Sequence, residues 1–189
     1  MNNFLAKNFK INISTLLLIL SSSLYLSAQT FTGSIINTAG NSAIPSTGTG
    51  GCTVAPQTTG GTLFNNVVSG LSGTCVRLSS IQVNFTHTFD SDIDMYLRSP
   101  TGQIIELSTD NGAGNDNFTN TIFCDTSCVN ITAGAPPYTG IFKPEGTLTA
   151  SACGVTITPT VQSLNAFSAA NGTWQLVIFD DVGADVGVM

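Results

Sequence analysis

The stretch from Thr86 to Gly102 alternates apolar and acidic side chains and then turns back on itself. In an extended chain, successive side chains point to opposite faces. The apolar residues of this stretch share one face: Ile93, Met95 and Leu97. The acidic residues share the other: Asp90, Asp92 and Asp94. Residues 99–102 read Ser-Pro-Thr-Gly, which places Pro and Gly where tight turns favour them. The pattern predicts a β-hairpin with an apolar body, a return strand over 103–108 and an acidic entry.

The three carboxylates of this hairpin repel each other unless water or a cation separates them. The spacing Asp90-x-Asp92-x-Asp94 matches the first half of an EF-hand calcium loop. The second half does not match, because Met95 stands where the loop needs Gly and Thr101 stands where it needs Glu. The sequence therefore excludes an EF-hand and leaves open a calcium site built from a strand end and distant loops.

Two further acidic clusters follow in the chain. Residues 110–117 read Asp-Asn-Gly-Ala-Gly-Asn-Asp-Asn, which suits either a solvated turn or a loop of calcium ligands. Near the end of the chain, a strand pattern over 173–179 runs into Asp180 and Asp181. Apolar residues occupy both faces of that strand, so we expect it to be buried on both sides. Three acidic strand ends predict a shared cation site.

Composition points to a secreted all-β protein. Charged residues make up only 8% of the 189 residues, and Gly, Ser, Thr and Asn are plentiful. Lys7 and Lys10 precede a short apolar run that ends in small residues, which is typical of a cleaved signal peptide over 1–28. Cleavage after Ala28 would make Gln29 the first mature residue, and we expect the protein to be secreted or at the cell surface.

The mature chain is strongly acidic. Its basic residues are Arg77, Arg98 and Lys143, against 11 acidic residues, which gives a formal net charge of −8. Nucleic acid is therefore an unsuitable partner, since phosphate binding needs clustered Lys or Arg. His87 is the one histidine, and no Ser lies in a Gly-x-Ser-x-Gly motif. We expect no catalytic residues in the chain itself.

Five cysteines follow the predicted signal peptide, at positions 52, 75, 124, 128 and 153. Cysteines of secreted proteins usually pair, and five leaves at least one unpaired. The order in the chain favours Cys52 with Cys75, and Cys124 with Cys128. A zinc site at Cys124-x-x-x-Cys128 is not expected, because no second pair of ligands accompanies it.

These features together resemble the P domain, or Homo B domain, of proprotein convertases of the kexin and furin type, in particular its bacterial secreted branch. The resemblance covers about residues 65–189. It lies in the order of four motifs: His87-Thr88, Asp92-Ile93-Asp94, Ser99-Pro100-Thr101-Gly102, and Asn171-Gly172-Thr173-Trp174-x-Leu176 before Asp180-Asp181.

The resemblance implies a jelly-roll-like antiparallel β-sandwich, similar to galactose-binding domains, and a non-catalytic role beside a subtilisin-like serine endopeptidase. It also implies calcium ligands at Asp92, Asp94, Asp116, Asp125, Asp180 and Asp181.

Two features of the chain depart from the family. Only a Gly/Thr/Ser-rich lead-in, 29–64, precedes the sandwich, so we expect the protease or other domains elsewhere in a longer chain. The family's last strand, which contains a Trp, is not found before Met189, so we expect a sandwich that is truncated at its C-terminus. The alternative function is a surface adhesion module that binds protein or carbohydrate without any link to a protease.

Overall fold

The regular structure of the described residues consists of β-strands and short 3-10 turns. The computed structural model describes residues 42–54, 59–72, 76–149, 152–155 and 157–189. All of them fall within one unit, which spans 31–189. The predicted signal peptide, the first part of the predicted lead-in and Cys75 lie outside the described residues. Within the described residues, we find no helix with the length and apolar character needed to cross a membrane.

Within this described part of the chain, nine strands form two sheets. The strands are β1 (Ala43–Ile44), β2 (Thr62–Val68), β3 (Ser80–His87), β4 (Ile93–Arg98), β5 (Ile104–Ser108), β6 (Phe118–Cys124), β7 (Gly140–Phe142), β8 (Gly172–Asp180) and β9 (Gly187–Val188). One sheet has the order β1-β9-β3-β6-β7, and the other has the order β2-β8-β4-β5. All pairs are antiparallel except β6 with β7.

The strand order confirms the predicted all-β sandwich. When the short parallel strand β7 is set aside, strands that are neighbours in sequence lie in different sheets or at a hairpin, as in a jelly roll. β1 and the start of β2 fall within the predicted lead-in and take part in the sheets. The place between β1 and β3 is taken by β9, which is two residues long.

The predicted hairpin is confirmed in β4 and β5. The Ser99 N–H donates to the Gln103 carbonyl at 2.8 Å, and the Gly102 N–H donates to the Ser99 carbonyl at 2.9 Å. Gly102 has φ of +83°, a backbone conformation that favours glycine. The apolar residues of β4 all enter the core between the sheets, as the alternation predicted: Ile93, Met95 and Leu97.

The start of this hairpin differs from the prediction. Asp90–Asp92 form a 3-10 turn, so the strand begins only at Ile93. The cause is the 110–117 loop, whose backbone takes the hydrogen bonds that a strand would use. The Asp90 N–H donates to the Asn115 carbonyl at 2.8 Å, and the Ser91 N–H donates to the Ala113 carbonyl at 3.3 Å. The three acidic side chains therefore do not share one face, and only Asp94 is a strand residue.

Strand β8 is buried on both faces, as its sequence predicted. Trp174, Leu176 and Ile178 belong to the core between the sheets. Val177 and Phe179 belong to a second apolar cluster on the outer face of the four-stranded sheet. That face is covered by Ala152 and Ile157, from the long connection between β7 and β8. A sheet that is covered on both sides can bury polar side chains on its outer face as well.

Both predicted disulfides are wrong. Cys52 pairs with Cys153, at a Cα–Cα distance of 4.5 Å and across 101 residues of sequence. Cys124 and Cys128 are free thiols. The prediction paired cysteines that are neighbours in sequence. In the structure, the connection between β7 and β8 folds back over the outer face, which brings Cys153 to the loop that contains Cys52. Cys75 lies outside the described residues.

Candidate functional site

One end of the sandwich gathers most of the acidic residues. β4 starts beside the end of β8, with Ile93 opposite Asp180 in the antiparallel register. The Asp181 N–H then donates to the Asp92 carbonyl at 2.9 Å. This pairing brings Asp92 and Asp181 together and places Asp94 where the charge of Asp181 acts on it. Asp180 lies opposite Ile93 and Asp94 lies opposite Phe179, so the side chains of Asp94 and Asp180 point to opposite faces of the sheet.

Five acidic residues surround the outer face of this sheet, and we name them the outer acidic group: Asp94, Glu106, Asp110, Glu145 and Asp181. Asp94 is the most buried aspartate of the group and is 1% exposed. Burial raises the pKa of Asp94 to about 8, and the charges of the other four members add to this rise. Among the described residues, neither Asp94 Oδ1 nor Asp181 Oδ1 has a hydrogen-bond partner.

The two glutamates of the group are held in place by the chain around them. The Thr147 N–H donates to Glu106 Oε2 at 3.1 Å, and the Thr147 hydroxyl bonds to the same oxygen. The Thr109 N–H donates to Glu145 Oε1 at 2.7 Å. Burial raises the pKa of Glu145, although this hydrogen bond opposes the rise. The glutamates are thus fixed as acceptors beside Asp94.

Asp181 and Asp92 extend this region of negative charge toward the end of the sandwich. Burial raises the pKa of Asp181 to about 6, and the charges of Asp110, Asp92 and Asp180 act in the same direction. Burial also raises the pKa of Asp92, with further contributions from Asp180 and Asp185. Each carboxylate is therefore easier to ionise when a cation is present than when it is absent.

His87 links the acidic end to the opposite sheet. Its Nε2 lies 3.2 Å from Asp180 Oδ2, and its Nδ1 lies 2.9 Å from the Phe89 carbonyl oxygen. Both side chains of the His87–Asp180 pair are fully buried. Burial alone lowers the pKa of His87, but the hydrogen bond and charge of Asp180 outweigh it and raise the pKa above its ordinary value. His87 is therefore buried as a partner of Asp180.

Asp90 is a site residue that the sequence prediction did not include. It is 0% exposed, and both of its carboxylate oxygens lack a partner among the described residues. Burial raises its pKa to about 7. The absence of a side chain at Gly112 is what lets the 110–117 loop close over it, because a Cβ there would come within 2.6 Å of Asp90 Cβ. The Asp-x-Asp-x-Asp spacing contained this residue, but only the fold shows that it is enclosed.

Two of the predicted calcium ligands, Asp116 and Asp125, lie apart from both the outer acidic group and the neighbouring ends of β4 and β8, where Asp92 and Asp180 lie. Asp116 is exposed on the 110–117 loop, where its charge acts on Asp90. Asp125 follows β6, whose last residue, Cys124, pairs with Ser80 at the far end of β3 from His87. The two ends are seven residue steps apart along the strand, about 23 Å at the usual rise per residue.

Asp125 has a structural role instead. Its two oxygens accept the N–H groups of Leu164 and Asn165, each at 2.8 Å, and so cap a 3-10 turn at 164–166. We expect Asp125→Ala to lower the free energy of unfolding by about 1–2 kcal/mol, the usual cost of a lost cap. Urea denaturation of the two proteins measures this. An unchanged midpoint would contradict the capping role.

Calcium fits the chemistry of this end of the sandwich. Calcium takes six to eight oxygen ligands, and carboxylates are the commonest of them. Buried carboxylate oxygens without partners are the expected sign of an ion, since burying an unpaired polar atom is costly. Against this, no three side chains of His, Cys, Asp or Glu among the described residues lie close enough together to hold one ion. A bound ion would therefore need backbone carbonyl oxygens or water in addition to one or two carboxylates.

Comparisons of this chain with family models, with curated proteins and with solved structures found no match.

Proposed function

We propose that this chain is a secreted, non-catalytic β-sandwich module that binds calcium at its outer acidic group. The observation that carries the proposal is Asp94, a buried carboxylate with an oxygen that lacks a partner among the described residues and with a pKa that the charges of four other acidic residues help to raise. A buried carboxylate in such surroundings either stays protonated or binds a cation. In an oxygen-rich site of a secreted protein, calcium is the best-suited cation.

Within this proposal, Asp94 and Asp181 are the central ligands, because both carry oxygens without a partner among the described residues. Asp92 and Asp180 lie at the same strand ends and contribute charge. Asp116 is exposed on the 110–117 loop and contributes charge to Asp90 rather than to the outer acidic group. Asp125 is left out, since the turn at 164–166 uses both of its oxygens.

A bound ion at this position would join three parts of the chain: the start of β4, the end of β8 and the segment that carries Glu145. A bound ion would offset the negative charge of the outer acidic group and so reduce the repulsion among its five carboxylates. The folded arrangement of these three parts would then be favoured. The role of calcium is then to stabilise the fold. This suits an accessory module that must keep its shape outside the cell.

Calorimetric titration of chelated protein with calcium tests the binding. We expect one binding event and a rise in melting temperature on saturation. Asp94→Asn should weaken binding at least about tenfold, because a charge-assisted ligand is worth about 1.5–3 kcal/mol. Asp125→Asn is the matched control, with the same change at a turn cap, and should bind normally. Absence of binding by the parent protein, or equal affinity of Asp94→Asn, would refute the site.

We also propose that the module is accessory to serine-type proteolysis by a subtilisin-like enzyme, either in the same polypeptide or as a separate chain. The support is the P-domain pattern, from His87-Thr88 through Ser99-Pro100-Thr101-Gly102 to Gly172-Thr173-Trp174. The complete coding region tests this. A subtilisin-type domain would support the proposal, whereas repeated binding domains with a sorting signal would support a surface adhesion module instead.

A further inference from the structure

The loop that carries Cys52 rests directly on the acidic end of β8. The Gly51 N–H donates to the Asp180 carbonyl at 2.9 Å. Gly50 leaves no room for a side chain, because a Cβ there would overlap the Asp180 carboxylate and the Val182 carbonyl oxygen. Gly183, on the other side of the contact, would place a Cβ 3.1 Å from the Gly50 carbonyl oxygen. This loop therefore encloses Asp180.

The segment that carries Cys153 covers the outer face of the same sheet. Its neighbours Ala152 and Ile157 pack on Val177 and Phe179 of β8. Upstream in the same connection, Thr147 bonds to Glu106. The connection between β7 and β8 thus begins among the glutamates of the outer acidic group and continues over the neighbouring apolar surface.

The disulfide between Cys52 and Cys153 ties these two segments together. They are 101 residues apart in sequence. The Cys52 loop contacts Asp180 at the end of β8, and the Cys153 segment contacts the apolar outer face of the same strand. Cys52 is exposed, so a thiol reagent in solution can reach this part of the molecule. A cross-link over so long a span removes much of the conformational freedom of the segments that it joins.

We propose that the Cys52–Cys153 disulfide is a redox-sensitive brace for the outer acidic group, so that its reduction weakens calcium binding and bound calcium opposes its reduction. The inference rests on the proposed function. Without the brace, the Gly50–Gly51 contact and the covering connection are free to separate from the sheet, and water then reaches Asp180 and the group around Asp94. Hydrated carboxylates are less preorganised for an ion, so affinity falls.

The reduction is ordinary thiol–disulfide exchange with a dithiol. One thiolate of the dithiol attacks one sulfur of the bridge, which forms a mixed disulfide and releases the other cysteine as a thiolate. The second thiolate of the dithiol then attacks the mixed disulfide and releases the remaining cysteine. The dithiol becomes a cyclic disulfide, and the two electrons and two protons that it gives up reside on Cys52 and Cys153.

The coupling must be reciprocal. If reduction weakens calcium binding by some factor, saturating calcium shifts the equilibrium constant for reduction by the same factor. We expect a factor of at least about ten, within the range usual for coupled sites. The two effects can be measured independently and must agree.

The first measurement compares calcium titrations of the oxidised protein and of the Cys52→Ser/Cys153→Ser variant. Both carry Ser at positions 75, 124 and 128, so that no other thiol can exchange. At least tenfold weaker binding by the variant is expected. Equal affinities would overturn the brace and leave the proposed calcium site intact. No binding by the oxidised protein would overturn the proposed calcium site, and the brace with it.

The second measurement does not depend on how well that variant folds. The oxidised protein is brought to equilibrium with mixtures of reduced and oxidised dithiothreitol, with calcium or with chelator, and alkylation followed by mass spectrometry gives the oxidised fraction. Calcium should shift the equilibrium toward the disulfide by the factor from the titrations. The Asp94→Asn protein is the matched control and should show little shift. An identical equilibrium with and without calcium in the parent protein would overturn the inference.

Discussion

In calcium-free protein, the free energy of unfolding should fall by about 5 kcal/mol between pH 4 and pH 8 because of Asp94 alone. Burial among acidic residues raises the pKa of Asp94 from 3.8 to about 8. Each unit of such a shift corresponds to about 1.4 kcal/mol. A carboxyl whose pKa is raised by folding contributes stability at pH values below its unfolded pKa, and this contribution is lost as the pH rises through the folded pKa.

Other groups at the same end of the sandwich act in the same direction. Asp90 has its pKa raised to about 7 and Asp181 to about 6. Domains of this size have a net stability of only about 5–15 kcal/mol. Chelated protein should therefore be close to unfolding at pH 8, whereas most proteins are at their most stable between pH 5 and 8.

Urea denaturation in chelator at a series of pH values measures this dependence. Asp94→Asn should flatten the profile most, because it removes the largest shift among these acids, and Asp125→Asn should leave its shape unchanged. Saturating calcium should reverse the slope, since protons then compete with the ion for the carboxylates. A flat profile for the parent protein in chelator would mean that Asp94 ionises normally, and the argument for a cation at this position would fail.

The hairpin and β8 were predictable because their side chains follow the period of a strand. The alternation at Ile93, Met95 and Leu97 specified the face of β4 that enters the core, and the Pro-Thr-Gly turn specified the return of the chain. The 3-10 turn at Asp90–Asp92 was not predictable in the same way. It depends on hydrogen bonds to Asn115 and Ala113, which are distant in sequence.

The site was predictable only where acids stand at neighbouring strand ends. Asp94 and Asp181 come together through the pairing of β4 with β8, which their flanking patterns indicate. Glu106 and Glu145 were missed, since each lies singly in an unremarkable stretch and only the covering connection brings them to Asp94. The same connection explains the wrong disulfides, because chain order contains no information on where a long loop returns.

His87→Ala should lower the free energy of unfolding by about 3–5 kcal/mol in chelator at pH 6, the usual cost of breaking a buried ion pair. His87 is 1% exposed, and its Nε2 lies 3.2 Å from Asp180 Oδ2. Burial lowers the pKa of His87, but the hydrogen bond and charge of Asp180 outweigh it and raise this pKa, which favours the protonated ring at pH 6. The protonated ring in turn opposes the rise that burial causes in the pKa of Asp180 and so favours the ionised pair. Without the ring, Asp180 stays buried beside other acids, and its Oδ2 loses the donor that it has among the described residues.

A double-mutant cycle with Asp180→Asn separates the ion pair from the loss of packing that His87→Ala also causes. Asparagine at position 180 keeps the shape and removes the charge, so His87→Ala should cost much less in that background. We expect the free-energy change of the double substitution to differ from the sum of the two single changes by more than about 1 kcal/mol, as is usual for residues in contact. Additive costs would show that His87 stabilises the fold only by filling space. His87 supplies buried positive charge at this end of the sandwich. A measured coupling would therefore indicate that the acidic end needs a cation for its stability. Calcium should then recover part of the stability that His87→Ala removes.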